Sequence, residues 1–281
     1  MEPVLRLSNV RYSYPSGVPA LNGVDMELRA GEIVAVVGQN GSGKTTLFKV
    51  ISGLLRPYSG VVTINGTDAR SMTVGEIAGV VGLVLQNPDV QLFSQTVLEE
   101  VEFGPRHLGM DPRASRGRAE EVLRILRLEG KAAEFPLSLP RGERVRLAVA
   151  ACLALKPAVL MLDEPTTGQD FHGLREIARI MRSFARSGGA VLLATHNMEI
   201  VAENAHRIIT MESGAVKVNG PTRWLMSMPG LLTQVGINPP QVVRLDREVL
   251  GDQRTALTVE ELTDKIEEKM EEKRAGSQGI R

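Results

Sequence analysis

A glycine-rich octapeptide between an apolar run and a helix start constrains this chain more than any other feature. Residues 38–45 read Gly-Gln-Asn-Gly-Ser-Gly-Lys-Thr and match the pattern G-x-x-x-x-G-K-[ST]. The β-branched run Ile33–Val37 before them predicts a buried parallel strand, and a helix is predicted from near Lys44. Glycines let backbone N–H groups approach phosphate oxygens closely, and a helix N-terminus adds unpaired donors. The octapeptide therefore predicts a phosphate-binding loop.

Two side chains at the end of the octapeptide carry its chemistry. Lys44 can reach the β- and γ-phosphates of a nucleotide, and the Thr45 hydroxyl can ligate Mg²⁺. The candidate nucleotide-binding residues of the loop and of the helix start are Gly38, Asn40, Gly41, Ser42, Gly43, Lys44, Thr45 and Thr46. We therefore expect a bound nucleotide and Mg²⁺ at this loop.

The remaining pattern predicts strands that alternate with helices. Strands are predicted over Val4–Val10, Val24–Leu28, Gly60–Asn65, Val80–Leu85, Val159–Leu162 and Ala190–Ala194, with two short strands in 207–220. Residues 87–150 are mostly helical in pattern, and another helix is predicted over 172–186. This order predicts an α/β fold with a parallel sheet and a helical insertion.

Three local patterns outside these strands carry expectations of their own. Arg11–Pro19 is predicted to be a turn-rich loop that holds Tyr12 and Tyr14. The pair Asn65-Gly66 is typical of a hairpin turn. The predicted helix around 120–128 places three apolar residues on one face: Val122, Ile125 and Leu126.

The tail beyond residue 220 changes character. Thr258-Val-Glu-Glu261 has the form of a capping box and opens a helix whose apolar stripe is Leu262, Ile266 and Met270. We expect a solvated charged helix on the body of the molecule, and a contact with a partner is the alternative.

The composition limits the function classes. The chain has 281 residues, of which 43% are hydrophobic, and 33 basic residues balance 33 acidic ones. A neutral chain gives no electrostatic footprint for nucleic acid, so we expect no nucleic-acid partner. The one cysteine, Cys152, excludes an internal disulfide and is expected to be a packed thiol. The longest apolar stretch, Leu147–Leu162, is interrupted by Lys156-Pro157, so we expect no membrane crossing by this chain alone.

An acidic pair follows a predicted buried strand. Asp163 and Glu164 come directly after Val159–Leu162, at the end where ligands bind in open α/β sheets. Asp163 is predicted to hold Mg²⁺, and Glu164 is predicted to act as the catalytic base that polarises the attacking water.

Six features now stand in the order found in the ATPase subunits of ABC transporters, which this chain resembles over residues 3–220. They are the phosphate loop, Gln86, a signature region near 139, Asp163-Glu164, Thr167–Asp170 and His196. The resemblance implies a P-loop NTPase with a RecA-like parallel-sheet core, an N-terminal antiparallel β subdomain and a helical signature subdomain over about 87–150. The ATPase domain would span 1–220, with a small C-terminal extension over 221–281. It further implies that ATP is bound between two such subunits in a head-to-tail dimer.

The resemblance also implies individual roles. Tyr14 would stack on adenine, with Tyr12 as the neighbouring candidate and packing on the β subdomain as the alternative. Gln86 would contact Mg²⁺ or water, so that Thr45, Gln86 and Asp163 form the metal side. His196 would contact the γ-phosphate and orient the attacking water, which makes Glu164, His196 and Gln86 the catalytic set. Asp170 would reach across the dimer interface.

Within the ABC family, the sequence is similar to the ATPases of energy-coupling factor (ECF) transporters, which import vitamins or cobalt and nickel ions. The similarity rests on Gln86–Phe93, Val97–Val101, Phe103–Pro105, Gly236–Gln241 and Leu257–Glu261. It implies a second ATPase subunit, an ECF transmembrane coupling subunit, indirect contact with a substrate-binding membrane subunit, and a place on the cytoplasmic face of the membrane. The expected contacts to the coupling subunit are Asp89, Gln91 and Phe93, although Asp89 capping a helix after Pro88 fits the sequence equally well.

One motif departs from the family. Where the family has L-S-G-G-Q, this chain has Leu139-Pro140-Arg141-Gly142-Glu143. Pro140 removes a hydroxyl and a backbone N–H, and Arg141 adds bulk. Glu143 would repel a phosphate about 6 Å away by about 3 kcal/mol at an effective dielectric constant of 20, unless Arg141 and Arg144 offset it.

The altered signature predicts an asymmetric heterodimer with one weak or inactive ATP site. A homodimer would carry the defect in both sites and stays open. The alternative functions are a soluble ABC ATPase and a regulatory subunit that only binds ATP, neither of them coupled to transport.

Overall fold

Two β-sheets and the helices around them organise the chain. The computed structural model describes residues 2–56, 59–234, 236–251 and 255–278. The strands are β1 (Leu5–Ser13), β2 (Pro19–Leu28), β3 (Ile33–Val37), β4 (Ser59–Ile64), β5 (Thr67–Asp68), β6 (Val81–Val84), β7 (Val159–Asp163), β8 (Ala190–Ala194), β9 (Arg207–Glu212) and β10 (Ala215–Pro221). The helices are α1 (Lys44–Ile51), α2 (Val74–Val80), α3 (Val97–His107), α4 (Pro112–Ile125), α5 (Arg141–Ala154), α6 (Phe171–Arg186), α7 (Met198–Asn204), α8 (Thr222–Met226), α9 (Pro229–Gln234), α10 (Gln241–Val249) and α11 (Val259–Gln278).

The larger sheet has the strand order β10-β9-β3-β8-β7-β6, and all its pairs except β9–β10 are parallel. Every residue of β3, β7 and β8 is buried, as the continuous apolar runs predicted. Alternate residues of β3 enter two separate apolar clusters, Ile33 and Ala35 in one and Val34 and Val36 in the other. The predicted α/β fold with a P-loop NTPase core is confirmed. Because β3, β7 and β8 are neighbours, the loops after their carboxyl ends meet at one edge.

The smaller sheet is antiparallel, in the order β2-β1-β4-β5. The loop predicted over Arg11–Pro19 is wrong in its first part, because β1 continues to Ser13 and Tyr12 pairs with Leu21. Register shifts between Leu7 and Val10 and beyond it break the alternation, so the sequence pattern ends before the strand does. The predicted turn at Asn65-Gly66 is confirmed, since both residues have positive φ between the paired strands β4 and β5.

Helices α3, α4 and α5 form the helical region that follows β6. Thr96 opens α3 with a capping box to Glu99, and the Asp111 side chain caps α4. The predicted apolar face of α4 is wrong at Ile125, which is 49% exposed. The buried stripe is Ala119, Val122, Leu123 and Leu126. Because this stripe is centred between Val122 and Leu123, Ile125 falls at its edge.

The lone cysteine lies in α5, against the sheet. Cys152 is buried, and its Sγ lies 3.5 Å from the Leu83 carbonyl oxygen. Burial raises the pKa of the Cys152 thiol to about 12, so the thiol stays protonated at neutral pH. The expectation of a packed thiol is confirmed.

The tail packs on the core through α8 and α10 and through the segments beside them. Leu225, Leu232, Ile237 and Val243 belong to one of the two core clusters, and a buried ion pair joins Lys265 of α11 to Asp246 of α10. Parts of the tail prediction, residues 235, 252–254 and 279–281, lie outside the described residues.

Helix α11 places its charged and apolar residues differently from the simple expectation. The Glu261 N–H donates to Thr258 Oγ1 at 3.2 Å, while the Glu261 carboxylate accepts the N–H of Leu257 instead of that of Thr258. The apolar residues Ile266 and Met270 are exposed. The charged residue Lys265 is buried, because it pairs with Asp246. Among the described residues, no helix combines the length and the apolar character that a membrane crossing requires.

Candidate nucleotide-binding site

The phosphate-binding loop connects β3 to α1 at the carboxyl edge of the parallel sheet. Two of its positions require glycine, because other parts of the backbone approach them closely. A Cβ on Gly38 would lie 2.3 Å from the Met211 carbonyl oxygen, and a Cβ on Gly43 would lie 2.7 Å from that of Ala20. Gly43 also has a φ of +103°, which a residue with a side chain rarely adopts. The loop can therefore wrap its N–H groups around an anion without side chains in the way.

Lys44 reaches back over this loop. Its Nζ donates to the carbonyl oxygens of Gly38 at 2.7 Å and Gln39 at 3.1 Å. Burial lowers the pKa of Lys44, while the charges of Glu164 and Asp163 oppose that shift. The negative charge of a bound anion would likewise raise the pKa of Lys44 and keep it protonated. The buried ammonium group is therefore suited to bind phosphate.

Asp163 ends β7 and lies under the loop. Its side chain is buried, and Oδ1 has no hydrogen-bond partner among the described residues. Burial raises the pKa of Asp163, whereas the polar side chain of Thr45 and the charge of Lys44 lower it. The carboxylate thus lies beside the predicted metal ligand Thr45.

Glu164 follows in a left-handed conformation, with a φ of +49°. Its N–H donates to the Ala194 carbonyl oxygen at 2.8 Å, which fixes the residue across the ends of β7 and β8. Its Oε2 accepts the N–H of His196 at 3.3 Å. Burial raises the pKa of Glu164, although the His196 N–H and Lys44 oppose the shift. A raised pKa suits a general base near neutral pH.

His196 lies two residues beyond β8 and joins two loops. Its Nε2 is 3.1 Å from Asn40 Oδ1 and 3.2 Å from Glu164 Oε1. Burial, and then the charge of Lys44, lower the pKa of His196, so the ring is neutral at pH 7. A neutral ring carries one N–H, so Nε2 can donate to only one of these oxygens at a time.

These residues surround one cavity of about 430 Å³. Of the predicted site residues, it is lined by Tyr14, Asn40, Gly41, Gly43, Lys44, Thr45, Thr46, Gln86, Asp163, Glu164 and His196. Gly38 and Ser42 are not among the lining residues. The sequence analysis missed Val18, Pro19 and Ala20 as lining residues, because small and apolar side chains give no chemical signal, and it named Thr167 only as the start of the segment up to Asp170.

Tyr14 borders this cavity just after β1. Its hydroxyl lies 3.0 Å from Thr46 Oγ1, and its ring meets Tyr12 edge-to-face at 5.2 Å. Tyr12 packs against an apolar cluster and does not line the cavity. Tyr14 is therefore the tyrosine that a nucleotide in this cavity can contact.

The donor atoms around the cavity fit a hard divalent cation. Thr45, Gln86 and Asp163 all line it and offer hydroxyl, amide and carboxylate oxygens, the ligands that Mg²⁺ prefers. The buried and unpartnered Asp163 Oδ1 fits such an ion. Within the described residues, no cluster of three His, Cys, Asp or Glu side chains forms a separate metal site.

A larger cavity, of about 490 Å³, lies between α4, α5 and α6. Its lining is mostly apolar, with Arg118, Lys156 and Arg179 as the charged residues and no carboxylate among the described residues. Size alone therefore does not identify the site, since the chemistry gathers in the smaller cavity.

The tail makes an unexpected contact with the phosphate loop. Gly236, at φ +70°, lies so close to Gln39 that a Cβ on it would be 2.0 Å from Gln39 Nε2. A cavity of about 220 Å³ beside this contact is lined by Gly38, His196 and Ile237, among others. Sequence analysis missed the contact, because a lone glycine does not reveal which segment of the chain it faces.

The altered signature begins α5, with Pro140 directly before the helix. Lys131 and Arg146 balance the Glu143 carboxylate, at 3.0 Å and 3.6 Å. The expectation that Arg141 and Arg144 would offset Glu143 is therefore wrong. Arg144 instead pairs with Asp89 at 2.8 Å.

The segment from Thr167 to Asp170 lies beside this signature. Asp170 Oδ1 accepts the N–H of Gly173 at 2.7 Å and caps α6. Its predicted reach across a dimer interface stays a prediction.

Comparison with known proteins places this geometry in a family. A family model described as ABC transporter matches residues 21–167, and a model of an AAA domain matches residues 136–202. The chain is 38% identical over 243 residues to the energy-coupling factor transporter ATP-binding protein EcfA1 of Methanospirillum hungatei, a match that covers 86% of this chain and 88% of that protein. It is 39% identical over 259 residues to an ABC transporter ATP-binding protein of Caldanaerobacter subterraneus, covering 92% of this chain and 45% of that protein. The chain thus spans less than half the length of this relative.

Solved structures agree with the sequence relatives. The structure of cbiO1 from Clostridium perfringens, described as part of the ABC transporter complex cbiONQ, superposes with a TM-score of 0.75 at 29% identity, covering 89% of this chain and 97% of that one. A dimeric ATP-binding cassette bound to ADP and phosphate superposes with a TM-score of 0.71 at 28% identity, covering 78% of this chain and 99% of that one. Sequence and fold lead to the same conclusion: this chain belongs to the ABC transporter family of ATP-binding proteins.

Proposed function

We propose that the chain is the ATP-binding and ATP-hydrolysing subunit of an ECF-type importer of vitamins or transition-metal ions. The observation that carries this proposal is the convergence of Lys44, Asp163, Glu164 and His196 on one cavity beside the phosphate loop. The similarity to EcfA1 and cbiO1 supports the transporter type. In this role the chain lies at the cytoplasmic face of the membrane.

The residues of the cavity have distinct tasks in hydrolysis. The loop N–H groups and Lys44 hold the β- and γ-phosphates, and Tyr14 stacks on the adenine. Glu164 accepts a proton from the attacking water, which its raised pKa favours. His196, neutral and close to both Asn40 and Glu164, orients that water against the γ-phosphate. Thr45, Gln86 and Asp163 would hold Mg²⁺, which would neutralise charge on the phosphates.

The second part of the proposal is an asymmetric pair of ATPase subunits. Pro140 offers neither the N–H nor the hydroxyl that a family signature presents to the partner's phosphate. Glu143 adds a carboxylate to that face, although Lys131 and Arg146 compensate its charge. This chain's cavity would therefore hydrolyse ATP under a partner's intact signature, and its own signature would cover a weak site.

ATPase assays test this asymmetry. The purified chain is expected to hydrolyse ATP slowly by itself and at least tenfold faster with a partner ATPase that carries an intact signature. Robust hydrolysis by the chain alone would contradict the asymmetric pair while leaving the ATPase assignment intact.

An apolar groove after Gln86 supports coupling to a membrane subunit. The groove, of about 360 Å³, lies between α2, α3 and α5, with Phe93 and Phe103 at its rim. Phe93 is 61% exposed and meets Phe103 edge-to-face at 4.7 Å. Exposed aromatic side chains beside an apolar groove are typical of a site that binds a helix of another protein.

Two of the three predicted coupling contacts are engaged within the chain. The Gln91 side chain bonds to Leu83 and Leu85 of the β6 edge, and Asp89 pairs with Arg144. The alternative role of Asp89 as a helix cap is wrong, because Asn87 accepts the Asp89 N–H and caps the short turn there. Phe93 is therefore the strongest of the three contact candidates, and the coupling contacts stay predictions.

Co-purification with the membrane subunits tests the groove. Phe93→Ala is expected to reduce recovery of the native complex at least fivefold, whereas Leu245→Ala, which removes an exposed apolar side chain on α10, is expected to leave it unchanged. Equal recovery of both variants would count against the groove.

The altered signature also favours a second candidate, a regulatory or soluble ABC protein that binds ATP without driving transport. Such a protein would purify without membrane subunits, and its ATP turnover would not respond to them. Identification of the subunits that accompany the native chain separates the two functions.

A further inference from the structure

The altered signature contacts the segment from Thr167 to Asp170. Arg141, in the altered signature, donates from Nε to the Thr167 carbonyl oxygen at 3.1 Å. Its Nη2 donates to the Gln86 carbonyl oxygen at 3.3 Å. One guanidinium group thus joins the start of α5 to the loops that follow β6 and β7.

We call this contact between the start of α5 and the loops after β6 and β7 the junction. The side chain of Gln169 packs against its other side. Its Oε1 lies 2.9 Å from the position of a Cβ on Gly142 and 2.3 Å from that of a Cβ on Gly173. The Gln169 side chain therefore occupies the space that these two glycines leave at the first turns of α5 and α6. Gly168, at φ +71°, leaves the corresponding space for Arg141, whose Nε would lie 3.0 Å from a Cβ there.

The junction holds residues of this chain's own nucleotide cavity. Gln86 and Thr167 both line that cavity, and Gln86 is a candidate ligand of Mg²⁺. The guanidinium group presents several N–H donors in a rigid fork, so it can hold two carbonyl oxygens in a fixed relation. The Glu143 charge does not require Arg141, because Lys131 and Arg146 already balance it.

We propose that Arg141 is a positioning residue for the nucleotide site of its own chain. It fixes the backbone of Gln86 and Thr167 to the start of α5, and Gln169 completes the junction. The altered signature thereby acts within the chain, where the family signature acts on the partner's phosphate. This inference rests on the proposed function only in that ATP occupies the cavity.

Hydrogen exchange of the full-length chain tests the junction without any partner. Arg141→Ala is expected to raise amide exchange in residues 86–90 and 166–170 at least tenfold, and Arg141→Lys, which keeps the charge but loses the fork, is expected to fall between. Arg186→Ala removes an exposed arginine at the far end of α6 and serves as the control with unchanged exchange in both segments. Unchanged exchange of β3 and β8 in each variant shows that the fold is intact.

Nucleotide binding supplies the second measurement. Arg141→Ala is expected to weaken binding of a non-hydrolysable ATP analogue at least fivefold in the presence of Mg²⁺. Binding in EDTA is expected to be unchanged, because Gln86 is a candidate ligand of Mg²⁺ and has no metal to bind there. Unchanged exchange in both loop segments, or equal loss of affinity with and without Mg²⁺, would overturn the proposal. A chain that binds no ATP at all would instead refute the proposed function, and hydrogen exchange would still decide on the junction.

Discussion

The nucleotide cavity and the signature segment are the two surfaces through which an ABC ATPase contacts ATP, and in this chain they differ sharply in chemistry. The cavity brings together a lysine, two carboxyl groups and a histidine, and burial shifts the pKa of each of them. The signature has lost a backbone donor at Pro140, and its charged side chains bind other parts of the same chain.

This difference separates two demands on an ATP site. Catalytic groups must be desolvated and held in place, and the carboxyl ends of β7 and β8 provide both for Glu164, the proposed general base. The signature must offer free donors to a second molecule, so every bond that it makes within the chain reduces that function. Under the proposed asymmetric pair, this chain has lost the second surface and kept the first, and another subunit supplies the signature.

The largest expected effect lies in the cavity. Glu164→Gln is expected to lower ATP turnover of the assembled transporter about 10²–10⁴-fold, because the proposed general base is lost. Nucleotide affinity should stay within about threefold, since the amide fills the same space. Single-turnover hydrolysis and equilibrium binding measure the two quantities.

Glu203→Gln is the matched control for that variant. Burial raises the pKa of Glu203 too, but this residue lies on α7, outside the cavity. ATP turnover of the Glu203→Gln variant should therefore equal that of the wild type. A similar loss in both variants would show that Glu164 acts through stability and not through chemistry.

The next largest effect concerns the signature segment. Pro140→Ser with Glu143→Gln restores a hydroxyl, an N–H and a neutral side chain, while Arg141 stays. Because a single donor at a developing charge is worth up to about 10²–10³ in rate, turnover by the isolated chain should rise about tenfold or more. Steady-state ATPase assays measure the gain.

The same two substitutions in a Glu164→Gln background should give no gain, which excludes a contaminating ATPase. If the restored signature leaves turnover of the isolated chain unchanged, the altered motif does not limit hydrolysis, and the contrast between the two surfaces fails.

The cavity and the signature also differ in how far the sequence predicted them. The loop, the acidic pair and His196 follow strand ends, so a buried apolar run places each of them at the same edge of the sheet. The partners of Arg141 lie 26 and 55 residues away along the chain, and its backbone acceptors carry no residue-specific signal. Spacing therefore located Arg141 but could not show what it contacts.

The helical segments show the same limit. Periodicity placed Ile125 on the apolar face. It cannot locate the edge of a buried stripe to within one residue, and Ile125 lies just outside that edge. In α11 the pattern predicted that charges face solvent, yet Asp246 on another helix draws Lys265 into the interior. A pairing across helices overrides the pattern of either helix alone.

The pH dependence of single-turnover hydrolysis provides a third prediction. Glu164 must be ionised to accept a proton, and burial raises its pKa, so the rate should fall about tenfold per pH unit below a midpoint above the usual glutamate range. Burial lowers the pKa of His196, so the two pKa values shift toward each other, and a His196 variant is needed to assign the acid limb.

His196→Asn serves as the control for the pH profile. It should lower the rate at every pH and leave the midpoint of the acid limb in place. If the midpoint disappears in this variant, His196 is the group that titrates, and the division of roles in the cavity is wrong.

The smallest expected effect concerns how the tail supports the cavity. Gly236→Ala and Gly251→Ala both place a Cβ at a positive φ, +70° and +60°, so each should cost about 1–2 kcal/mol of stability. Only the Cβ at 236 meets the phosphate loop, at Gln39, whereas the nearest atom at 251 is the Arg247 carbonyl oxygen at 3.7 Å. Gly236→Ala alone should therefore weaken ATP binding, by about threefold or ~0.6 kcal/mol, in a titration with a fluorescent analogue. Equal affinities of the two variants would show that the tail packs against the loop without influencing it, and the integrity of the cavity would then depend on the ATPase body alone.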